Sequence, residues 1–371
     1  MGLVVNPVAG LGGAVGLKGS DGAEVQREAL ARGAVPRAGD RAAQAVRTLL
    51  ARRPDARVVT VAGPMGADSA GDTPELVRLT PTPGPQESSA ADTRAAVAAL
   101  AAAGVELLLF AGGDGTARDV LDAVRELGDQ APPVLGIPAG VKVYSGCFAT
   151  SPATAGFVAA GHRGDTAEAE VVDLDEELYR RGVVTPRLYG TLRVPAARTA
   201  LSGRKAGSSG TAPATVEGIA REVVARMKPD IRYILGPGAT TLAVGRELGL
   251  ATTLLGVDVV QDGVLVAADV TEAELAGFAE GAVVVLSVIG GQGFVLGRGN
   301  QQISPRVLAG TGGLIVLATQ QKLAALNGRP LLADSGDPDT DRRLSGHVQV
   351  ITGHHESAFY RISPASEEYS E

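Results

Sequence analysis

The chain has 371 residues, of which 34 are basic and 41 acidic, and its formal net charge is −7 at neutral pH. This acidic balance argues against general nucleic-acid binding, and no apolar run reaches the roughly 18 residues that a membrane-spanning helix requires. Hydrophobic residues make up 45% of the chain but aromatic residues only 3%. The core must therefore consist of Val, Leu, Ile and Ala, as in parallel sheets covered by helices.

Short apolar runs alternate with helical patterns over the first part of the chain. Strands are predicted at GLVVNP and at residues 57–63, 105–113 and 133–140. Helices are predicted at residues 91–104 and 117–127. This alternation predicts an α/β fold with a doubly wound parallel sheet, in which ligands bind at the carboxyl ends of the strands.

The segment from Gly63 to Ser89 is rich in Pro, Ser and Gly, which predicts a long loop or a poorly ordered edge of the sheet. Asp92 or Thr93 is the expected cap of the helix that follows it. We expect the first domain to cover residues 1–150.

From about residue 165 the pattern changes to shorter strands with turns between them. The run TTLLGVDVVQDGVLVAADV predicts two strands around the turn QDG. VVVLSVIGG and VQVITGHHESAFYRI predict further strands. We therefore expect a second, β-rich α+β domain over residues 151–371, with its C-terminal segment packing back on the first domain.

The single cysteine, Cys147, excludes an intramolecular disulfide and is typical of a reducing compartment. The opening residues lack the features of a signal peptide, so we expect a cytoplasmic protein. We expect Cys147 to be a small buried packing residue. The four histidines show no ligand spacing, so we expect no metal site made of a side-chain cluster.

FAGGDGTA follows a predicted buried strand and is the most informative stretch of the chain. Gly112, Gly113 and Gly115 have no Cβ atoms, so a phosphate could approach the backbone N–H groups and the positive end of the next helix. Asp114 is an acid in what is otherwise an anion site. It either accepts a proton from an attacking hydroxyl, holds Mg²⁺, or merely caps the helix.

Three other loops are candidates for phosphate contact. NPVAGLGG contains Gly10 and Gly12 and is as compatible with a structural turn as with a functional one. GPGATT contains Gly236, Gly238, Thr240 and Thr241, whose hydroxyls could bind a phosphate or cap a helix. GRGNQQ offers Arg298 for bidentate phosphate recognition and Asn300 as an amide donor.

Taken in order, NPVAGLGG, AGGDGT and GIPAGVK resemble the ATP-NAD kinase superfamily, which is related to the diacylglycerol and sphingosine kinases. The closer resemblance is to the ATP- or polyphosphate-dependent, NAD kinase-like branch that includes the acetoin-catabolism protein AcoX. LKGSDG, YILGPGATT, TLLGVD and GRGNQQISP carry this closer resemblance. It extends from Asn6 to about Tyr360.

The resemblance implies a kinase with Asp114 as the general base or its metal-linked equivalent. It also implies that Asn6, the three glycines of GGDGT and Thr116 contact nucleotide phosphates. Together with the loops above, the expected phosphate-binding set is Asn6, Gly10, Gly12, Gly112, Gly113, Gly115, Thr116, Gly236, Gly238, Thr240, Thr241, Arg298 and Asn300. The expected acceptor-binding residues are Lys142, Tyr144, Ser145 and Asp258.

The expected reaction is phosphoryl transfer from ATP, or from polyphosphate, to the 2′-hydroxyl of NAD, with Mg²⁺ bridging the phosphates and possible help from Asp114. The Asn-Glu pair that binds the acceptor ribose in typical NAD kinases is missing from the sequence. Another small hydroxylated metabolite or a lipid head group is therefore an alternative acceptor. A non-catalytic nucleotide sensor is an alternative function, and an NAD-dependent dehydrogenase ranks lower. We expect small-molecule substrates and a homo-oligomer, with neither nucleic acid nor a membrane as a partner.

Overall fold

The computed structural model of the protein describes residues 1–17, 23–72, 75–77, 88–139, 143–174, 186–197, 201 and 213–367. Over these residues the chain forms one parallel sheet, one larger mixed sheet and one antiparallel hairpin. In the part of the chain that the structure describes, no helix is both long and apolar enough to cross a membrane.

The first sheet has five parallel strands, in the order β3-β2-β1-β4-β5. They are β1 (Gly2–Val5), β2 (Val59–Val61), β3 (Glu75–Val77), β4 (Leu108–Gly112) and β5 (Val134–Pro138). Four of them lie where apolar runs predicted strands. β3 is the edge strand of this sheet and lies inside the segment for which we expected a long loop or a poorly ordered edge; the strand itself was not predicted.

The helices associated with this sheet are α1 (Ala23–Ala31), α2 (Ala38–Arg52), α3 (Ala90–Ala102), α4 (Asp114–Leu127) and α5 (Pro152–Gly161). The α/β class and the doubly wound parallel sheet predicted from the sequence are confirmed. The predicted cap of α3 is wrong, because the N-cap is Ser89. Its hydroxyl accepts a hydrogen bond from the Asp92 backbone N–H, and the Asp92 carboxylate accepts one from the Ser89 N–H.

The strand order places a topological switch point between β1 and β4. From β1 the chain continues to β2 on one side, whereas β4 pairs with β1 on the other side, with Val5 opposite Ala111. The carboxyl ends of β1 and β4 are thus adjacent, and the loops that follow them diverge. Such a crevice is where open α/β sheets bind their ligands.

The second sheet has nine described strands, in the order β10-β9-β8-β11-β13-β15-β16-β14-β12. They are β8 (Arg232–Leu235), β9 (Asp258–Gln261), β10 (Val264–Ala267), β11 (Val283–Ser287), β12 (Phe294–Leu296), β13 (Gly313–Leu317), β14 (Leu331–Ala333), β15 (Gly346–Gly353) and β16 (Glu356–Pro364). β8, β11, β13 and β15 are parallel neighbours, so their carboxyl ends share one edge. The predicted QDG hairpin is β9 and β10, and Asp262 and Gly263 at its turn both have positive φ.

The helices of this region are α6 (Pro213–Arg226), α7 (Ala239–Glu247), α8 (Glu272–Ala276), α9 (Pro305–Gly310), α10 (Gln320–Ala324) and α11 (Pro338–Leu344). Buried apolar side chains form separate clusters on the two faces of the sheet. Ile234 of β8 contributes to one cluster, and its neighbours Tyr233 and Leu235 contribute to the other. Burial on both faces explains why these strands are continuous apolar runs.

The hairpin of β6 (Thr166–Leu174) and β7 (Pro186–Pro195) packs on the first sheet. Val171 and Leu192 belong to the same buried cluster as Phe110 of β4. The boundary that we expected at residue 150 therefore falls inside a hydrophobic cluster, and we propose that the first packing unit continues through this hairpin. The last described turn, Ala365–Glu367, contacts α5 of the first unit.

Candidate functional site

The switch point between β1 and β4 is closed by a side-chain contact between the two diverging loops. Asn6 follows β1, and its Nδ2 donates to Thr116 Oγ1 on the first turn of α4 at 3.0 Å. The Asn6 Oδ1 accepts from the backbone N–H of Val8 at 3.2 Å, and this bond fixes the turn after β1. Asn6 and Thr116, separated by 110 positions in the chain, are thus in contact, and their binding of nucleotide phosphates stays a prediction.

Asp114 is the first residue of α4, but its side chain does not cap that helix. Its Oδ2 accepts from the Tyr144 N–H at 2.8 Å, and its Oδ1 accepts from the N–H and the hydroxyl of Ser145 at 2.9 and 2.6 Å. The capping alternative is therefore wrong. The carboxylate instead joins the GGDGT loop to the segment that follows β5.

Burial raises the pKa of Asp114 to about 6, although the hydrogen bonds from Ser145 and Tyr144 and the charge of Arg118 act in the opposite direction. Such a group is mostly ionised at pH 7 and is more basic than an ordinary aspartate. A carboxylate has about four lone-pair sites, and Oδ2 receives one of the three bonds. Oδ2 is thus the oxygen that can accept a further proton.

Ser145 is completely buried and extends the contact into the β6–β7 hairpin. Its hydroxyl donates to Asp114 and accepts from the Val172 N–H at 3.0 Å. The structure therefore places Tyr144 and Ser145 directly beside Asp114. Lys142, the third expected acceptor-binding residue of this loop, lies outside the described residues.

The NPVAGLGG loop packs against the second sheet. A Cβ atom added at Gly13 would lie 3.1 Å from Cδ of Gln301, and the Glu272 N–H donates to the Ala14 carbonyl at 3.0 Å. A narrow cleft remains between this loop and the GRGNQQ loop. It is lined by Gly10, Leu11, Ala139, Gly297, Asn300 and Gln301, among others.

Arg298 and Asn300 are buried in this region and have structural contacts. Arg298 is 2% exposed, and its Nη2 donates to the Thr150 carbonyl at 2.7 Å. Burial lowers its pKa to about 10, while the nearby Asp334 partly offsets this effect. Asn300 bonds the Gly297 N–H and the Val295 carbonyl. Arg298 thus joins the GRGNQQ loop to Thr150, and Asn300 fixes the conformation of that loop. Contact of either side chain with phosphate stays a prediction.

A cluster of hydroxyl groups around Lys322, here called the Lys322 cluster, lies in the second sheet at the carboxyl edge shared by β8, β11 and β13. Gly236 and Gly238 form the turn into α7, and Gly238 has a φ of 139°. Lys322 Nζ reaches Ser287 Oγ at 2.9 Å and Thr240 Oγ1 at 3.4 Å. Sequence reasoning identified the threonines but missed Ser287 and Lys322. Their signal is that Ser287 is the last residue of β11 and Lys322 follows β13, two strands that end at this same edge.

The two threonines and Asp258 have further structural contacts. Thr241 Oγ1 donates to the Gly238 carbonyl at 2.9 Å. Asp258 is 1% exposed and accepts from the Thr253 N–H at 2.7 Å and from the Asp269 N–H at 2.9 Å. Burial raises the pKa of Asp258. These bonds fix the loop before β9, and an acceptor-binding role for Asp258 stays a prediction.

Two expectations about cysteine and histidine have different outcomes. Cys147 is fully buried, as predicted, and this burial raises the pKa of its thiol. The expectation that no side-chain cluster holds a metal stays a prediction, although His354 and His355 converge on Glu222. Glu222 is more than 130 positions earlier in the chain, so no local spacing could reveal this cluster.

Comparison with known families gives two matches. The model of the ATP-NAD kinase N-terminal domain matches residues 1–162, and that of the ATP-NAD kinase C-terminal domain matches residues 229–362. No curated protein and no solved structure gives a significant match to the chain. The two matched segments include the Asp114 site and the Lys322 cluster, respectively.

Proposed function

The chain belongs to the ATP-NAD kinase family, and from that premise we propose that it transfers a phosphoryl group from ATP to the 2′-hydroxyl of NAD, giving NADP. Inorganic polyphosphate is the alternative donor. One observation carries the proposal: Asp114, a partly buried carboxylate with a raised pKa, lies at the switch point of the first sheet. A kinase needs such a group to accept the proton of the attacking hydroxyl.

Asp114 Oδ2 is the atom assigned to this proton transfer. Three hydrogen bonds from Tyr144 and Ser145 hold the carboxylate, so its position is fixed before a substrate arrives. Preorganisation of this kind lowers the cost of reaching the transition state. A pKa of about 6 keeps the carboxylate ionised at neutral pH and still gives a useful driving force for proton transfer.

The transferring phosphate is assigned to the backbone N–H groups around GGDGT. This loop opens α4, which has 14 residues, so the phosphate would also face the positive end of a long helix. The Asn6–Thr116 contact holds the loop after β1 beside it. At the other sheet, Lys322 with Ser287 and Thr240 offers a cation and two hydroxyls for a second phosphate group of the nucleotide.

Mg²⁺ neutralises charge on the phosphate oxygens when it is bound. Asp114 supplies a carboxylate with an oxygen that accepts one hydrogen bond, and Mg²⁺ is usually held by one or two carboxylates together with substrate phosphates. The donor set therefore fits an ion that the nucleotide brings with it. Because Oδ2 has one lone-pair site left, Asp114 as a protein ligand of the ion is the alternative to Asp114 as the base; in the role of base, the phosphates and waters would hold the ion.

A second class of acceptor is another small hydroxylated metabolite, such as a polyol or a keto-alcohol. It is favoured by the absence of an Asn-Glu dipeptide from the sequence. The test is to incubate the purified protein with ATP or polyphosphate and a panel of acceptors, and to identify products by mass spectrometry. NADP formed with ATP supports the first proposal, whereas a different phosphorylated product assigns another acceptor. Nucleotide binding without phosphate consumption would instead indicate a sensor.

A further inference from the structure

Two histidines and a glutamate meet beyond the carboxyl end of β15, where the turn between β15 and β16 contacts α6. Glu222 lies on α6, and His354 and His355 form the turn. The Glu222 side chain is 7% exposed, whereas those of His354 and His355 are 42% and 78% exposed. A buried carboxylate thus faces two imidazoles that water can reach.

The distances in this cluster match those of a metal site. Nδ1 of His354 lies 3.3 Å from Glu222 Oε2, and Nδ1 of His355 lies 3.4 Å from the same oxygen. The three ligand atoms lie within 4.8 Å of one another. In a tetrahedral Zn²⁺ site with bonds of about 2.0–2.1 Å, neighbouring ligand atoms are about 3.3–3.4 Å apart. Both nitrogen–oxygen distances therefore equal this ligand spacing.

The carboxylate of Glu222 is held in place by its other contacts. Its Oε1 accepts from the Nε of Arg226 at 2.8 Å, and the Nη2 of Arg226 lies at the same distance. Its Oε2 accepts from the His355 backbone N–H at 2.8 Å. This backbone bond lowers the pKa of Glu222; burial acts in the opposite direction, and the bond from Arg226 lowers the pKa further. Supporting bonds of this kind orient metal ligands.

The local backbone allows the turn to approach the helix closely. Gly218 lies one helical turn before Glu222, and a Cβ atom there would come within 3.1 Å of the His354 backbone nitrogen. His355 adopts a φ of 57°, in the left-handed region that non-glycine residues rarely occupy. Together these features bring both imidazoles to one carboxylate oxygen.

We propose that Glu222, His354 and His355 bind a divalent transition-metal ion, with Zn²⁺ as the best fit and water in the remaining position. Two imidazoles and one carboxylate suit Zn²⁺ and its neighbours in the first transition row, whereas Mg²⁺ and Ca²⁺ prefer oxygen ligands alone. The ion fastens the β15–β16 turn to α6. None of the three residues belongs to the expected phosphate-binding set, although the turn lies at the same sheet edge as the Lys322 cluster.

The test uses protein without a polyhistidine tag, because such a tag binds the same ions. Zn²⁺ binding is measured by titration calorimetry, and Co²⁺ is used to reveal four-coordinate geometry from its visible absorption bands. The test variant carries His354→Ala and His355→Ala, two exposed positions whose replacement leaves the core intact. The matched control carries His162→Ala and His347→Ala, which removes the same number of imidazoles elsewhere.

We expect the wild type and the control to bind one Zn²⁺ with equal affinity, and the test variant to lose more than about tenfold in affinity. Zn²⁺ should also raise the melting temperature of the wild type and the control but not that of the test variant. Equal binding by all three proteins, or no stoichiometric binding by the wild type, would overturn the proposal. Kinase activity is not used as a readout, so failure here leaves the proposed function untouched.

Discussion

Replacing Asp334 with Asn should destabilise the protein by removing the counter-charge of two buried arginines. Arg41 Nη1 lies 2.5 Å from Asp334 Oδ1, and Arg298 Nη2 lies 3.6 Å from Oδ2. The side chains of Arg41 and Asp334 are 8% and 9% exposed, and that of Arg298 is 1% exposed. Asparagine keeps the size of the side chain but removes the carboxylate paired with both guanidinium groups, and Arg41 keeps only the attraction of the nearby Asp341.

The size of the effect follows from the contacts that remain. Breaking a buried ion pair by removing one partner costs about 3–5 kcal/mol. Arg298 keeps its bond to the Thr150 carbonyl at 2.7 Å and its position 4.5 Å from the centre of the Phe294 ring. We therefore expect a loss at the lower end, about 3 kcal/mol, which is a large part of a typical free energy of unfolding.

Urea unfolding followed by circular dichroism measures this loss. The matched control is Asp339→Asn, which breaks an ion pair with Arg342 whose side chains are 81% and 56% exposed, respectively. An exposed pair contributes about 0–1 kcal/mol, so the control should remain close to the wild type. If Asp334→Asn destabilises the protein no more than Asp339→Asn does, the assignment of a buried charge cluster between the two units is wrong.

Three further predictions concern the site and its support. Activity should fall about tenfold per pH unit below pH 6, because protonation removes the base whose pKa is about 6; kcat/KM measured from pH 5 to pH 8 checks this. Ser145→Ala removes a bond that lowers the pKa of Asp114, so the acid limb of that profile should move to higher pH, and an unmoved limb would contradict the contact. Gly156→Ala should lower the melting temperature, because its Cβ would lie 2.2 Å from the Ala45 carbonyl oxygen, whereas Gly161→Ala on the same helix meets nothing within 4 Å and should not.

Local patterns were sufficient for four of the five strands of the first sheet and for the positions of the glycine-rich loops. Both faces of the first sheet are buried, so its strands are short apolar runs. Such runs can be recognised in a single sequence. β3 was missed because three residues inside a Pro- and Gly-rich segment give no periodicity. The cap of α3 was misplaced because Ser89 and Asp92 form a reciprocal pair, in which the acid lies three residues inside the helix.

Contacts between distant segments were not accessible from the sequence. The role of Asp114 depends on backbone N–H groups about 30 positions later, which only the chain path after β5 brings into reach. The same is true of Lys322 with Ser287 and of His354 with Glu222. Residue type and position in a loop identify candidate residues. Which of them are in contact depends on which strands end at the same edge of a sheet.

The most direct test of phosphoryl transfer at the switch point is the turnover of Asp114→Asn. Asp122→Asn is the matched control, because Asp122 lies on the same helix and its carboxylate accepts from the Tyr189 hydroxyl instead. With the acceptor identified by product mass, we expect Asp114→Asn to lose at least about 100-fold in kcat while nucleotide affinity is retained, and the control to stay near wild type. Full turnover by Asp114→Asn would contradict the central claim.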